Sequence, residues 1–226
     1  MSDSIGVSGT ARRSAATGQV AVVLGTLLFP GACAPANTVP AETTGGAAPT
    51  PEQTRDAVDQ LPAGLGSLHQ DEFTLSLRDG DLLLKVTPLE ESVIRLAAPD
   101  TYERLRATAE SRIEQARDAV YSGEPELMLV SFFSYSPDTD YRPDDLYLMY
   151  QGRQLRPVAV LPVTSGWGRG RLQQREIQNA VYVFEPEIDY SHPMSVRYGA
   201  LESQNWSSVV PALDRERARV RGRTGG

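Results

Sequence analysis

The chain has 226 residues, 40% of them hydrophobic, and a net charge of −7. The first 33 residues contribute +1, from Asp3 against Arg12 and Arg13, so the remainder carries −8. A body that acidic repels phosphates and excludes general nucleic-acid binding. A single cysteine, Cys33, excludes an intrachain disulfide.

Residues 1–32 read as an export signal. Arg12 and Arg13 precede an apolar run of ten residues, Val20 to Phe29 (VAVVLGTLLF). That is half of the roughly 20 residues a permanent membrane helix needs, and it is normal for the apolar region of a signal peptide. The run ends in Pro30-Gly31-Ala32-Cys33. This ending resembles the lipobox of bacterial lipoprotein precursors, with Pro30 standing where a small aliphatic residue or Leu is more usual. The resemblance implies cleavage before Cys33, lipidation of its thiol, and a membrane-anchored location in the bacterial cell envelope, facing the periplasm or the exterior. Residues 34–50 (APANTVPAETTGGAAPT) hold Val39 as their one large apolar side chain. They cannot bury enough surface to offset the entropy of ordering, which predicts a disordered linker beside the anchor.

Residues 51–226 are expected to form one domain. Thr50, Pro51 and Gln53 mark a short helix start, ending near Leu61. Residues 73–78 (FTLSLR) and 81–87 alternate apolar and polar side chains about Asp79-Gly80, which predicts a tight hairpin with Leu75, Leu77, Leu82, Leu84 and Val86 inward. A third strand is read at residues 92–97. From Asp100 to Tyr121 the period changes: Tyr102, Leu105, Ala109, Ile113, Ala116 and Val120 recur at steps of three or four, one helical stripe, with Asp100 and Glu103 as a capping box.

Residues 127–133, 146–150 and 155–163 are short apolar runs bounded by turn residues, the pattern of strands. Further strands are expected at residues 180–184 and 194–198. Trp206 and residues 209–213 are expected to close one end, and residues 211–223 to form a short, frayed, arginine-rich helix. The strand spacing resembles immunoglobulin-like β-sandwiches of secreted bacterial proteins. The expected fold is therefore mainly β, an antiparallel immunoglobulin-like sandwich with one inserted amphipathic helix.

Two loops carry candidate ligand chemistry. In Ser165-Gly166-Trp167-Gly168-Arg169-Gly170-Arg171, the ring of Trp167 and the guanidinium groups of Arg169 and Arg171 could hold an anion or a glycan. Asp138, Asp140, Asp144 and Asp145 share a loop that could offer oxygens to calcium, although Pro143 interrupts the spacing and no EF-hand pattern is complete. No Gly-x-Ser-x-Gly elbow occurs. His192 stands in the polar stretch Asp189-Tyr190-Ser191-His192, and Glu185 and Glu187 flank a proline. No metal or cofactor is called for. The expectation is a lipid-anchored, non-catalytic binding or structural module that meets the membrane through Cys33 and other partners among envelope proteins or glycans. The alternatives are a periplasmic hydrolase using scattered carboxylates and a small-ligand or glycan-binding module.

Overall fold

A computed structural model describes residues 61–224. The leader, Cys33, the linker and the helix read from Thr50 lie outside the described residues. The fold is mainly antiparallel β, in three sheets. The largest contains β1 (Leu75–Asp79), β2 (Leu82–Pro88), β3 (Glu126–Ser134), β9 (Ile177–Phe184) and β7 (Ala159–Pro162), in that spatial order. The second has the order β11 (Leu201–Glu202), β10 (Met194–Tyr198), β5 (Leu146–Tyr150), β6 (Arg153–Leu155). The third pairs β4 (Thr139–Asp140) with β8 (Arg171–Leu172). Among the described residues no helix is long and apolar enough to cross a membrane.

The first hairpin forms with the expected inward face but a different turn. Asp79 pairs with Leu82, so the two-residue loop is Gly80-Asp81 rather than Asp79-Gly80. Gly80 takes φ +56°, and a positive φ at the first loop position is what a residue without Cβ adopts without strain. Sliding the turn by one residue shifts the pairing by two, so Leu75, Leu77, Leu82, Leu84 and Val86 all stay buried.

Residues 92–97 are not a strand. Glu91–Ile94 form one helical turn, α1, because the segment turns back to meet Leu68: Leu68 N–H donates to the Leu96 carbonyl (3.1 Å) and Ala98 N–H to the Leu68 carbonyl (2.9 Å). The stretch from Asp100 to Tyr121 is two helices, α2 (Pro99–Glu110) and α3 (Ile113–Arg117). The capping box does not form. Pro99 opens α2 after Ala98, which offers no side-chain cap; a proline needs no N–H partner at that position. Arg112 breaks the helix with φ −125°, and its Nη2 reaches the Pro162 carbonyl of β7 at 2.9 Å. The break turns the stripe onto the sheet, with Tyr102, Leu105 and Ala116 buried.

Residues 155–163 are not one strand either. Leu155 pairs with Leu148 in the second sheet, whereas Ala159 pairs with Val183 in the first. Pro157 lies at the crossing, where its missing N–H costs no ladder bond. The two larger sheets face each other across one core. Phe132 of β3 meets Tyr198 of β10 edge-on at 5.8 Å, and Tyr182 of β9 donates its hydroxyl to the Pro143 carbonyl at 2.9 Å. Burial pushes the Tyr182 phenol strongly upward, with the carboxylate of Asp144 adding to the shift. The phenol is a neutral donor at any working pH.

The C-terminal helix, α4 (Val210–Thr224), runs for 15 residues and buries Leu213, Glu216 and Val220. It is longer and better held than a frayed end. Before it, Trp206 is fully buried and its Nε1–H donates to the Tyr190 carbonyl at 2.7 Å. Glu216 accepts hydrogen bonds from Ser67 N–H (2.6 Å), from the Ser67 hydroxyl (3.0 Å) and from Arg219. The bonds from Arg219 lower its pKa most, burial opposes them, and the Ser67 donors lower it further. A carboxylate depressed in the folded state adds stability above its unfolded pKa, about 4.3, and loses it as pH falls through the lower folded value. Glu216→Gln is therefore expected to cost about 1.5–3 kcal/mol at neutral pH. Urea titrations should show the gap to the natural chain closing below about pH 4; a gap constant with pH would remove the carboxylate from this role.

Candidate functional site

Trp167, Arg169 and Arg171 are brought to one region, but each has a partner within the chain. The Trp167 ring lies within 5.6–6.1 Å of Phe132, Tyr141 and Tyr182, so it packs on the core. Arg169 bonds Glu176 and donates Nε–H to the Gly166 carbonyl at 3.1 Å. Arg171 donates Nε–H to Asp140 at 3.0 Å, which fixes the β4–β8 pair. The Glu176 carboxyl is held below its usual range by Gln173 N–H first and by Gln178.

Of the four aspartates, Asp140 is engaged by Arg171, and Asp138, at φ +53°, accepts from Gln173 Nε2 at 3.1 Å. Asp144 and Asp145 lie in a short helical turn, Pro143–Asp145. Among the described residues no group of three or more His, Cys, Asp or Glu side chains is placed to hold a metal ion.

Asp189, Ser191 and His192 do meet. Asp189 Oδ2 is 3.1 Å and Ser191 Oγ 3.3 Å from His192, but both approach the same nitrogen, Nδ1. A relay needs the serine on one ring nitrogen and the carboxylate on the other. This set orders a turn instead: Ser191 N–H also donates to Asp189 at 2.9 Å, and the Asp189 carboxyl, although burial raises it, is held low overall by Ser191 and His192. Glu185 accepts from Tyr121 N–H at 3.3 Å and Glu187 pairs with Arg153 at 2.9 Å, so the two acids flanking Pro186 serve different neighbours. A cleft of about 600 Å³ is lined in part by Glu91, Glu124 and Glu126. Glu91 accepts from Arg95 and Tyr102, Glu124 from Arg117, and Glu126 from the Tyr190 hydroxyl.

A further concave site is on the outer face of the largest sheet. Its origin is visible in three adjacent strands. In β3 both faces are buried from Glu126 to Val130, and from Ser131 onward one face opens. The same change occurs at Lys85 in β2 and Asn179 in β9. Lys85 pairs with Ser131 and Ser131 with Asn179; in the next row Leu83 pairs with Phe133 and Phe133 with Ile177. One polar row and one apolar row thus cross the sheet side by side, beyond the cover given by α2 and α3.

Together with Arg104 of α2 and with Gln70 and Asp71, these rows bound a groove of about 440 Å³, within the usual range for small-molecule sites. Leu83, Leu129, Phe133 and Ile177 form its floor. Ile177 is 50% exposed and Tyr135 is 43% exposed; Tyr135 stands edge-on to Phe133 at 4.8 Å, and Arg78 lies over the Tyr135 ring at 4.7 Å. One wall is linked by hydrogen bonds: Arg104 donates to Gln70 Oε1 (2.7 Å) and Gln70 Nε2 to Thr87 (2.9 Å). Lys85 Nζ lies 2.7 Å from Asp71, whose side chain is 76% exposed; such a solvent-screened pair yields easily. Asn179 Oδ1 is buried without a hydrogen-bond partner among the described residues. Lys85 and Arg104 against Asp71 leave this lining net cationic in an acidic body.

These residues were not singled out from the sequence. The available signal was the continuous apolar run of β3, readable as burial on both faces, ending in Ser131-Phe132-Phe133. Lys85 is the sole lysine of the chain, and the structure puts it in the groove. No protein-family model matches the chain, and no curated protein and no solved structure matches it.

Proposed function

We propose that this chain is a lipid-anchored, non-catalytic binding module of the bacterial cell envelope, tied to the membrane through Cys33. Its domain is of the immunoglobulin-like sandwich kind and offers the outer-sheet groove to a small amphiphile with an apolar body and one anionic end. The observation that carries the binding role is the pairing of an apolar row, Leu83–Phe133–Ile177, with a polar row headed by Lys85. An aliphatic chain on the first row gains from leaving water, at about 0.8 kcal/mol per methylene buried. A carboxylate or phosphate near Lys85 and Arg104 meets charged donors, whose hydrogen bonds to anions are the stronger kind. The anchor is supported by the order of charge, apolar run, small residues and cysteine in residues 12–33.

The test has two arms. In cells, Cys33→Ser is expected to move the chain out of its globomycin-sensitive membrane fraction; a mutant processed and retained as before removes the anchor. In solution, dodecanoate is expected to bind the natural chain, and Phe133→Asp to weaken it by about tenfold or more, since it puts a charge on the apolar row. Equal affinity in both proteins, with an unchanged fold by circular dichroism, removes the groove as the site.

A further inference from the structure

We infer that the exposed arginines of α4 form a contact surface for anionic lipid headgroups, so that the helix faces the membrane to which the chain is tied. The inference rests in part on the proposed anchor at Cys33.

The first observation concerns charge. Leu213, Glu216 and Val220 point into the body, and the two acids of the helix are both used internally: Asp214 by Arg217 at 2.8 Å, and Glu216 by Arg219 and Ser67. Arg215, Arg221 and Arg223 are exposed and have no acidic partner among the described residues. Arg221 and Arg223 also complement the negative end of the helix dipole; Arg215, in the first half, has no such role. Three unopposed guanidinium groups on one helix of an otherwise acidic body make a local patch that attracts a negatively charged surface and leaves a neutral one unaffected.

The second observation concerns where the chain enters the domain. Arg219 Nη2 bonds the Leu65 carbonyl at 3.0 Å, and Ser67 bonds Glu216 through both its N–H and its hydroxyl. Leu65 and Ser67, near the start of the described chain, are therefore pinned to α4. Leu61 follows Cys33 by 28 residues. With the proposed anchor on the same chain, a contact made by α4 is intramolecular once Cys33 is in the membrane. Tethering of this kind raises the effective concentration of a weak contact, so that a few cations suffice.

The experiment uses the full-length, lipidated chain carrying Thr224→Cys with a fluorophore, reconstituted in vesicles bearing a headgroup acceptor. Energy transfer is expected to be higher in phosphatidylcholine vesicles containing phosphatidylglycerol than in phosphatidylcholine alone, and to fall with added salt. Arg215→Gln/Arg221→Gln/Arg223→Gln should return it to the phosphatidylcholine level, with an unchanged thermal melt. Equal transfer on both vesicles, or a gain that survives the triple substitution, overturns the inference; so does binding of the three arginines to a soluble acidic polymer with no response to the lipid. Flotation on pure phosphatidylcholine reads the anchor separately. A chain that floats only with phosphatidylglycerol, and loses this in the triple variant, keeps the helix contact while removing the lipidated cysteine.

Discussion

Phe132→Ala is expected to lower the free energy of unfolding by about 3–5 kcal/mol, the usual cost of truncating a buried aromatic side chain. Phe132 is fully buried on β3, which is paired on both sides, with β2 and with β9. Its ring centre lies 4.9 Å from Tyr141, 5.6 Å from Trp167 and 5.8 Å from Tyr198. These partners come from the β4–β5 connection, the Gly-rich loop and the second sheet. Alanine would therefore lose transfer free energy and also leave a cavity whose walls cannot collapse independently. Aromatic pairing adds about 0.5–1.5 kcal/mol per contact beyond the area term. A urea titration reads the effect as a lower midpoint at nearly constant slope. A loss under about 1 kcal/mol would mean that the site repacks as volume-conserving swaps do, and that the aromatic cluster does not join the two sheets.

Gly66→Ala is expected to be of comparable severity for a different reason. A Cβ at this position would lie 2.3 Å from the carbonyl carbon and oxygen of Leu96 and 2.5 Å from the Ala97 oxygen. These are backbone atoms, so no rotamer change can relieve the clash. They belong to the turn after α1 that Leu68 joins by two backbone hydrogen bonds. One residue on, Ser67 holds Glu216. The substitution thus wedges apart the junction of the entering chain, the α1–α2 segment and α4. Overpacking costs about 1–3 kcal/mol in cores that can adjust, and more where they cannot. The expected result is a loss near or above 3 kcal/mol, with faster hydrogen exchange at Leu68 and Ala98. A melting temperature close to that of the natural chain would show that the junction yields as a unit.

The hairpin of β1 and β2 and the strands β3, β5 and β10 were legible because local pattern and tertiary burial agree there. Alternation gives the inward face of Leu75 to Val86, and the buried face survives even where the turn is placed one residue off. The sequence is silent where the deciding partner is distant. Residues 92–97 carry a strand-like composition, yet Leu68 captures Leu96 and Ala98 and closes the segment into a turn. Residues 155–163 look continuous, and only the competition of Leu148 and Val183 for their two halves divides them. Arg112 interrupts a periodic stripe because the Pro162 carbonyl is within its reach.

The groove was illegible for the same reason. Lys85, Ser131 and Asn179 are 46 and 48 residues apart in successive steps, and only strand register puts them in one row. By contrast, Trp167, Arg169 and Arg171 stand out in the sequence because they are close together. The structure shows that local density being used for packing and for pairs with Glu176 and Asp140.

The most direct measurement is an amide NMR titration of the chain with dodecanoate, read residue by residue. The proposed site predicts saturable shifts concentrated at Leu83 to Lys85, Ser131 to Phe133 and Ile177 to Asn179, with the signals of Gly166 to Arg171 little changed. Shifts centred on Gly166 to Arg171, or none that saturate, would contradict it.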